Sequence, residues 1–255
     1  MEQLRNLETQ LRPIAGEDSR FEARQLLGAA RDDNQLRRWV ARRLCGEPLQ
    51  YILGQWEFYG LPMHVRPAAL IPRADTETMC DEAIKRIKAR GYSSVLDMCT
   101  GSGCVGIAIK KNAAVSVTMS DISADALALA RENAQLNGVE CKFVLGDMFC
   151  PIKDKFDCIV VNPPYLSAKD MATLQKEVEF EPKLALFGGE DGLEFYRRIA
   201  NGYADYLNNG GVLLMEIGFN QSDAVMAMFE GATVCKDCGG INRVIIVEGS
   251  CDTEN

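Results

Sequence analysis

Hydrophobic positions follow a helical period at the start of the chain. Apolar side chains recur every three or four positions among Arg and Glu, for example from Leu36 to Leu44, and this spacing predicts amphipathic helices. Asp32 and Asp33 precede that run and mark a helix N-terminus. We therefore predict a small helical domain over residues 1–47.

The pattern changes over residues 48–72. This stretch contains β-type side chains together with three prolines in its middle and end, and prolines interrupt regular helices. It predicts a hairpin-like linker between two domains.

Beyond residue 72, strand-like runs alternate with helical runs. The predicted strands are residues 93–98, 115–121, 141–147, 156–165, 210–218 and 243–249, and the predicted helices are residues 76–90, 105–110, 124–137, 192–207 and 221–229. This alternation is typical of an α/β fold with a mostly parallel sheet covered on both faces. We predict this second domain over residues 73–255, with residues 250–255 as a frayed tail.

Composition and charge exclude several classes of protein. Hydrophobic residues make up 47% of the 255 positions and charged residues 25%, which excludes a disordered or collagen-like chain. Lys and Arg number 28 against 36 Asp and Glu, for a net charge of −8. An acidic chain is a poor non-specific binder of polyanions, so no stable nucleic-acid partner is predicted.

Four arginines form a local exception to the acidic balance on the last predicted helix of the N-terminal region. They are Arg37, Arg38, Arg42 and Arg43. Such a cluster is either a solvated helix face or a contact with an RNA-bearing partner.

The sequence carries no visible signal for export or membrane insertion. No run approaches the roughly 18–20 apolar residues of a membrane span. The ten cysteines are scattered through predicted strands and helices, which favours reduced thiols over disulfides. Cys235 and Cys238 lack two further ligands at suitable spacing, so no metal is predicted. We expect a cytoplasmic protein without a membrane partner.

A glycine-rich turn follows the first strand of the predicted sheet, from Asp97 to Gly103. Ligands of open α/β sheets bind at the carboxyl ends of the strands. Residues 101–106, GSGCVG, match the dinucleotide fingerprint, and Asp121 after the next strand suits a ribose. The match alone fits a nicotinamide enzyme, an S-adenosylmethionine enzyme or a turn that binds no ligand.

Two further acidic residues favour S-adenosylmethionine. Asp147 follows the third strand, where its carboxylate suits the exocyclic amine of adenine while Met148 packs on the ring. Asp97 precedes the turn, where it would attract the amino group of a methionine moiety and repel a pyrophosphate. We therefore predict S-adenosylmethionine as the cofactor.

The fourth strand ends in Asn162, Pro163, Pro164 and Tyr165. Prolines end the strand and rigidify the backbone. The Asn162 side-chain oxygen and the Pro163 carbonyl can accept the two hydrogens of a planar NH2 group, and Tyr165 can stack on it. A side-chain amide, adenine N6 and cytosine N4 all fit, and the prolines could also simply end the strand.

Several segments together resemble the HemK-type release factor glutamine methyltransferases. They are PLQYILG (48–54), EFYG (57–60), LIPRADTE (70–77), CTGSG (99–103), DIS (121–123), NPPY (162–165), EPKLALFGGEDGLEFY (181–196) and EIG (216–218). The resemblance implies a class I S-adenosylmethionine-dependent methyltransferase whose N-terminal helical domain recognises the substrate. It also implies methylation of the glutamine side-chain nitrogen in the Gly-Gly-Gln motif of class 1 peptide chain release factors.

The resemblance also assigns site residues. The implied cofactor contacts are Cys99, Thr100, Gly101, Ser102, Gly103, Asp121, Met148 and Asn162, and Asn162 to Tyr165 would hold the glutamine. The chain departs from the family pattern at Cys99, usually Gly, and at Met148, usually a Trp beside the adenine. Glu179, Glu181 and Glu216 lie in matching segments and either line the substrate mouth or serve as helix caps or ion-pair partners.

Three other functions stay open at this point. A ribosomal-protein glutamine would undergo the same amide chemistry. A nucleic-acid base is less favoured, because the net charge is −8 and no domain-sized insert for target recognition is present. A binding protein that kept the fold without catalysis is opposed by the intact set of acidic, glycine and NPPY positions.

Overall fold

The computed structural model describes residues 1–249, and the predicted tail lies outside them. Its first three helices are α1 (Glu2–Ala15), α2 (Ser19–Ala29) and α3 (Asp33–Leu44). They pack around Leu11 and Leu26, which are fully buried. Asp32 caps α3, since its side chain accepts a hydrogen bond of 2.7 Å from the Gln35 N–H. The predicted start of this helix is therefore confirmed.

The linker contains the predicted hairpin, preceded by a short helix that the sequence did not indicate. The helix is α4 (Leu49–Leu53), and the strands are β1 (Gln55–Phe58) and β2 (Leu61–His64). Tyr59 and Gly60 join the strands with φ of 54° and 69°, the two positive values that a type I′ hairpin turn requires.

A seven-stranded sheet forms the centre of the rest of the chain. Its strands are β3 (Ser94–Met98), β4 (Ser116–Asp121), β5 (Lys142–Leu145), β6 (Phe156–Val161), β7 (Leu207–Glu216), β8 (Thr233–Lys236) and β9 (Asn242–Glu248). The strand order is β5-β4-β3-β6-β7-β9-β8, parallel from β5 to β7 and antiparallel at β9 and β8. The predicted mostly parallel sheet is confirmed, and the last two strands form its antiparallel edge.

Helices cover this sheet on both faces. They are α5 (Glu77–Arg90), α6 (Cys104–Asn112), α7 (Ala124–Leu136), α8 (Ala168–Met171), α9 (Glu194–Ala200), α10 (Tyr203–Tyr206) and α11 (Ser222–Met226). Val95 and Leu96 are neighbours on β3 that point to opposite faces, and both are fully buried in separate apolar clusters. The central strands are therefore shielded from solvent on both sides, as predicted.

The structure differs from the predicted elements at three places. The single helix predicted over residues 192–207 is two helices, α9 and α10, interrupted at Asn201 and Gly202. The helix predicted over residues 221–229 is shorter, and the four-residue strand β8 was missed. None of the four β8 residues is buried, since two are exposed and two half-buried, and its side chains therefore do not show the apolar run by which the inner strands were recognised.

The arginine cluster on α3 is not uniformly solvated. Arg37 and Arg38 are exposed, and Arg42 forms an ion pair with Glu47. The side chain of Arg43 is only 1% exposed and is ion-paired with Glu22 of α2. A solvated helix face, one of the two alternatives for this cluster, is therefore wrong for Arg43.

Within residues 1–249 no helix combines the length and apolar character that crossing a membrane requires.

Candidate functional site

A pocket opens at the carboxyl ends of β3, β4 and β6, and we call it the strand-end pocket. All but one of the residues predicted to contact a cofactor line it. The lining residues are Asp97, Cys99, Thr100, Gly101, Ser102, Asp121, Asp147, Met148 and Asn162. Gly103 does not line the pocket. It is the N-cap residue directly before α6, with φ of 81°, and a Cβ there would lie 3.0 Å from the Ala130 Cβ. Its side of the turn packs against α7.

Asp97 stabilises the glycine-rich turn by accepting two hydrogen bonds. Its Oδ2 accepts hydrogen bonds from the Thr100 hydroxyl and, at 2.9 Å, from the Gly106 N–H. A Cβ at Gly106 would lie 2.8 Å from that same oxygen, so the close approach requires glycine. Burial raises the pKa of Asp97 to about 7, although both hydrogen bonds oppose the shift. A ligand ammonium beside this carboxyl would favour its charged form.

Asp121 ends β4 and faces the turn with both oxygens engaged by the backbone. Its Oδ2 accepts from the Gly101 N–H and its Oδ1 from the Ser123 N–H, each at 2.9 Å. Burial raises the pKa of Asp121, opposed by these N–H groups. Each carboxylate oxygen can accept a second hydrogen bond, so the residue is fixed in place and can still receive two hydroxyl groups.

The two departures from the family pattern both have left-handed backbone conformations. Cys99 has φ of 57° and Met148 has φ of 50°, a region that favours glycine. At Cys99 this explains why glycine is usual. Met148 is 6% exposed and lines the strand-end pocket, where its thioether side chain can still cover a flat ring.

We expect the Cys99→Gly variant to be about 1 kcal/mol more stable than Cys99→Ala. Both variants lack the thiol, so their difference isolates the cost of a Cβ at this positive φ. Cys80 is the matched control, because it lies inside α5, where Gly should instead be about 1 kcal/mol less stable than Ala. Urea unfolding of all four variants without cofactor measures both differences. If the Gly variant were less stable than the Ala variant at both positions, the backbone at Cys99 would not be strained.

Arg198 of α9 is a pocket residue that the sequence analysis missed. Its Nη2 lies 2.7 Å from Asp147 Oδ2, and both residues line the strand-end pocket. The pocket is therefore not purely acidic, and Asp147 has one oxygen already paired. Arg198 lies 51 positions after its partner and just beyond a family-matching segment, so no local motif marks it.

Asn162 lies where the strand-end pocket meets a second opening, which we call the Tyr165 cleft. Asn162 lines both openings, Pro164 lines the first, and Tyr165 lines the second. Pro163 is buried and lines neither. Burial raises the pKa of Tyr165 to about 12, so its ring carries a neutral phenol.

Glycines and a glutamine hold the NPPY backbone in place. A Cβ at Gly188 would lie 2.7 Å from the Pro164 carbonyl oxygen, and one at Gly192 would lie 2.5 Å from the Tyr165 carbonyl oxygen. The Gln221 side-chain amide donates to that Tyr165 carbonyl at 2.9 Å. The motif is thus packed from outside by segments more than 20 positions later in the chain.

The three glutamates left open by the sequence have different environments. Glu181 is 4% exposed; it accepts from the Ile71 N–H at 2.9 Å and forms an ion pair with Arg73. Glu179 is exposed. Glu216 ends β7, adjacent to Asn162 because β6 and β7 are paired in register up to that point.

Glu216 is a buried carboxyl with an unsatisfied oxygen. The residue is 2% exposed, and its Oε2 has no hydrogen-bond partner among the described residues. Burial raises its pKa to about 7; Thr76, Arg243 and Asn162 favour the charged form, and Asp75 disfavours it. Because an unfolded Glu has a pKa near 4.5, the folded protein holds this proton more tightly.

This shift predicts a pH dependence of stability. The folded state loses stability as the pH rises from the unfolded pKa of Glu216 to beyond its folded pKa, because the charged form is disfavoured only in the folded protein. Between pH 5.5 and pH 8, wild type should lose about 2 kcal/mol more than Glu216→Gln. Urea unfolding at both pH values measures the difference, with the exposed Glu179→Gln as control. Equal losses in wild type and Glu216→Gln would contradict the raised pKa.

Within residues 1–249, no three His, Cys, Asp or Glu side chains converge as they would around a metal ion.

Comparison with known proteins shows consistent similarities. A family model described as "Methyltransferase small domain" matches residues 81–180. The release factor glutamine methyltransferase of Geobacter sulfurreducens is 45% identical over 214 residues, which cover 81% of this chain and 75% of the relative. That of Thermodesulfovibrio yellowstonii is 43% identical over 222 residues, covering 83% and 80%.

A solved structure shows the same architecture. A methyltransferase from Pyrococcus furiosus aligns with a TM-score of 0.55 at 17% identity, covering 86% of this chain and 98% of the other. Together with the family model, this similarity confirms the predicted class I methyltransferase fold.

Proposed function

The chain belongs to the family of release factor glutamine methyltransferases, and we propose that it methylates the glutamine side chain of the Gly-Gly-Gln motif in class 1 peptide chain release factors. The observation that carries the proposal is the position of Asn162, which lines both the strand-end pocket and the Tyr165 cleft. A methyl donor on one side and an amide on the other would meet at this residue.

The strand-end pocket suits S-adenosylmethionine as the methyl donor. Asp121 would accept the ribose hydroxyls, and Asp97 lies where a ligand ammonium is favoured. Ser120 lines the pocket with a buried hydroxyl that has no partner among the described residues, so the pocket retains an unused polar group. S-adenosylmethionine supplies an electrophilic methyl group when it is bound.

Asn162 and its neighbours would orient the acceptor amide. The Asn162 Oδ1 would accept one amide hydrogen, and the Tyr165 ring would lie against the amide plane. Pro163 lines neither opening, so the predicted contact with its carbonyl is not part of this arrangement. An amide nitrogen is a weak nucleophile because its lone pair is delocalised, so fixing the amide plane while aiming the nitrogen at the methyl group supplies orientation. As the nitrogen gains the methyl carbon, the bond from that carbon to the donor sulfur would break and leave a neutral thioether. The nitrogen would then release one proton, so no strong base is required before attack.

Charge and domain layout fit a protein partner. Residues 1–50 carry nine Arg and eight acidic residues, which leaves −9 on the remainder of the chain. That acidic remainder favours a substrate loop that is itself basic because it contacts RNA. Residues 1–47 would recognise the release factor. We infer that the reaction takes place in the cytoplasm, because the proposed substrate is a translation factor.

Mass spectrometry of a methylation reaction tests the proposed function. Purified release factors, ribosomal proteins and DNA are incubated separately with the protein and S-adenosylmethionine, with S-adenosylhomocysteine in place of the donor as control. We expect a single-methyl mass shift confined to the Gly-Gly-Gln peptide. A shift on a ribosomal protein or a base instead would keep the chemistry and replace the substrate.

A further inference from the structure

One side of the Tyr165 cleft is formed by residues 173–186, which we call the wall segment. It contributes Val178 and Leu186 to the Tyr165 cleft, Leu184 to the strand-end pocket and Ala185 to both. Its only helical turns are two three-residue 3₁₀ turns, Val178–Phe180 and Lys183–Ala185. A segment with so little regular structure depends on contacts with other elements for its position.

The N-terminal helices provide one such contact. Arg43 of α3 donates from Nη2 to Glu177 Oε1 at 2.6 Å. The same guanidinium donates to both oxygens of Glu22 on α2, at 2.7 and 2.8 Å. Beside this cluster, Lys176 lies so close to Gly46 that a Cβ there would be 2.8 Å from the Lys176 Cδ. The wall segment therefore packs directly onto the end of the helical region.

A second contact comes from the segment that follows the hairpin. Glu181 accepts from the Ile71 N–H at 2.9 Å and pairs with Arg73, and Ile71 and Arg73 also line the strand-end pocket. The wall segment is thus held at two of its three acidic residues, Glu177 and Glu181, by elements that precede the sheet.

We propose that Arg43 and Glu177 are positioning residues, through which the N-terminal helices hold the wall segment against Asn162 and Tyr165. The helical region would then help orient the substrate amide as well as bind the release factor at a distance. This inference rests on the proposed function for its substrate. The contact between Arg43 and Glu177 itself does not depend on the substrate.

The geometry allows this contact to be broken without unfolding the helical region. Arg43 is buried and needs a charged partner, and Glu22 supplies one through two hydrogen bonds. Glu177 is 39% exposed at its side chain, so removing its carboxylate leaves no unpaired buried charge. Glu179 is the matched control, because it is exposed, lies two positions away and makes no polar side-chain contact among the described residues.

The test compares Glu177→Ala, Glu177→Gln and Glu179→Ala in the full chain. We expect Glu177→Ala to lower kcat on release factor about tenfold. The affinity for S-adenosylmethionine should fall much less, since Asp121 and the glycine-rich turn are untouched and the wall segment contributes only the edge residues Leu184 and Ala185 to that pocket. Amide hydrogen exchange of the wall segment should accelerate in the same variant. Glu177→Gln should recover part of both, because its amide oxygen still accepts from Arg43, and Glu179→Ala should behave as wild type.

Two readouts separate this inference from the proposed function. Unchanged exchange in Glu177→Ala would overturn the inference whatever the substrate, and so would faster exchange with unchanged kcat. Equal effects of Glu177→Ala and Glu179→Ala would also overturn it, because the contact with Arg43 would not be the cause. If wild type fails to methylate any release factor, the proposed function fails, and the exchange experiment still tests the Arg43 contact.

Discussion

Replacing Asn162 with Ala should lower kcat for glutamine methylation about 100- to 1000-fold, the usual cost of losing one aligned polar group at a reacting centre. Asn162 lies where the strand-end pocket and the Tyr165 cleft meet, and in the proposed function its side-chain oxygen accepts from the substrate amide beside the methyl donor. Single-turnover methylation followed by mass spectrometry measures the rate, and calorimetry measures S-adenosylmethionine binding. Binding should weaken far less than the rate.

Two further variants make this result specific. Asn162→Asp keeps an oxygen acceptor but places a second carboxyl next to the buried Glu216, which raises the pKa of the pair. We expect Asn162→Asp to retain more activity than Asn162→Ala. Its activity should also fall on changes of pH over which wild-type activity stays constant. Asn34→Ala, on the exposed start of α3, should have no effect. Full biological activity of Asn162→Ala would instead favour a binding protein that has kept the fold.

The sequence predicted the parts of the site that local motifs encode. The turn from Asp97, the acidic end of β4 and the NPPY motif each follow a strand, and parallel strands bring their carboxyl ends to one edge of the sheet. The structure places Asp97, Asp121 and Asn162 in one pocket, which the order of strands and helices was enough to anticipate.

The parts that the sequence missed are pairs between distant segments. Arg198 lies 51 positions from Asp147, and Arg43 lies 134 positions from Glu177. Taken alone, the sequence around each residue predicts an ordinary charged side chain on a helix or loop. Burial of Arg43 arises only once α2, α3 and the wall segment pack together. Periodicity could not reveal it, since a buried ion pair and a solvated charge have the same residue types.

Replacing Asp121 with Ala should weaken S-adenosylmethionine binding about 100-fold, the second large effect. A carboxylate that receives two hydroxyl groups makes charge-assisted hydrogen bonds of about 1.5–3 kcal/mol each, and part of that energy is recovered by water in the variant. Calorimetry with S-adenosylmethionine and with S-adenosylhomocysteine measures the loss. The thermal stabilisation that either ligand gives to wild type should shrink in parallel.

Asp121→Asn should also bind poorly, because the backbone N–H groups of Gly101 and Ser123 occupy both carboxylate oxygens. An amide NH2 would face one of these donors, so the side chain could not keep both contacts. Asp125→Ala is the control, four positions away and exposed on the first turn of α7, and it should bind as wild type does. Once S-adenosylmethionine is saturating, kcat should recover in Asp121→Ala, since Asn162 still orients the amide. Unchanged affinity in Asp121→Ala would mean that the ribose is held elsewhere, and the strand-end pocket would then need another ligand.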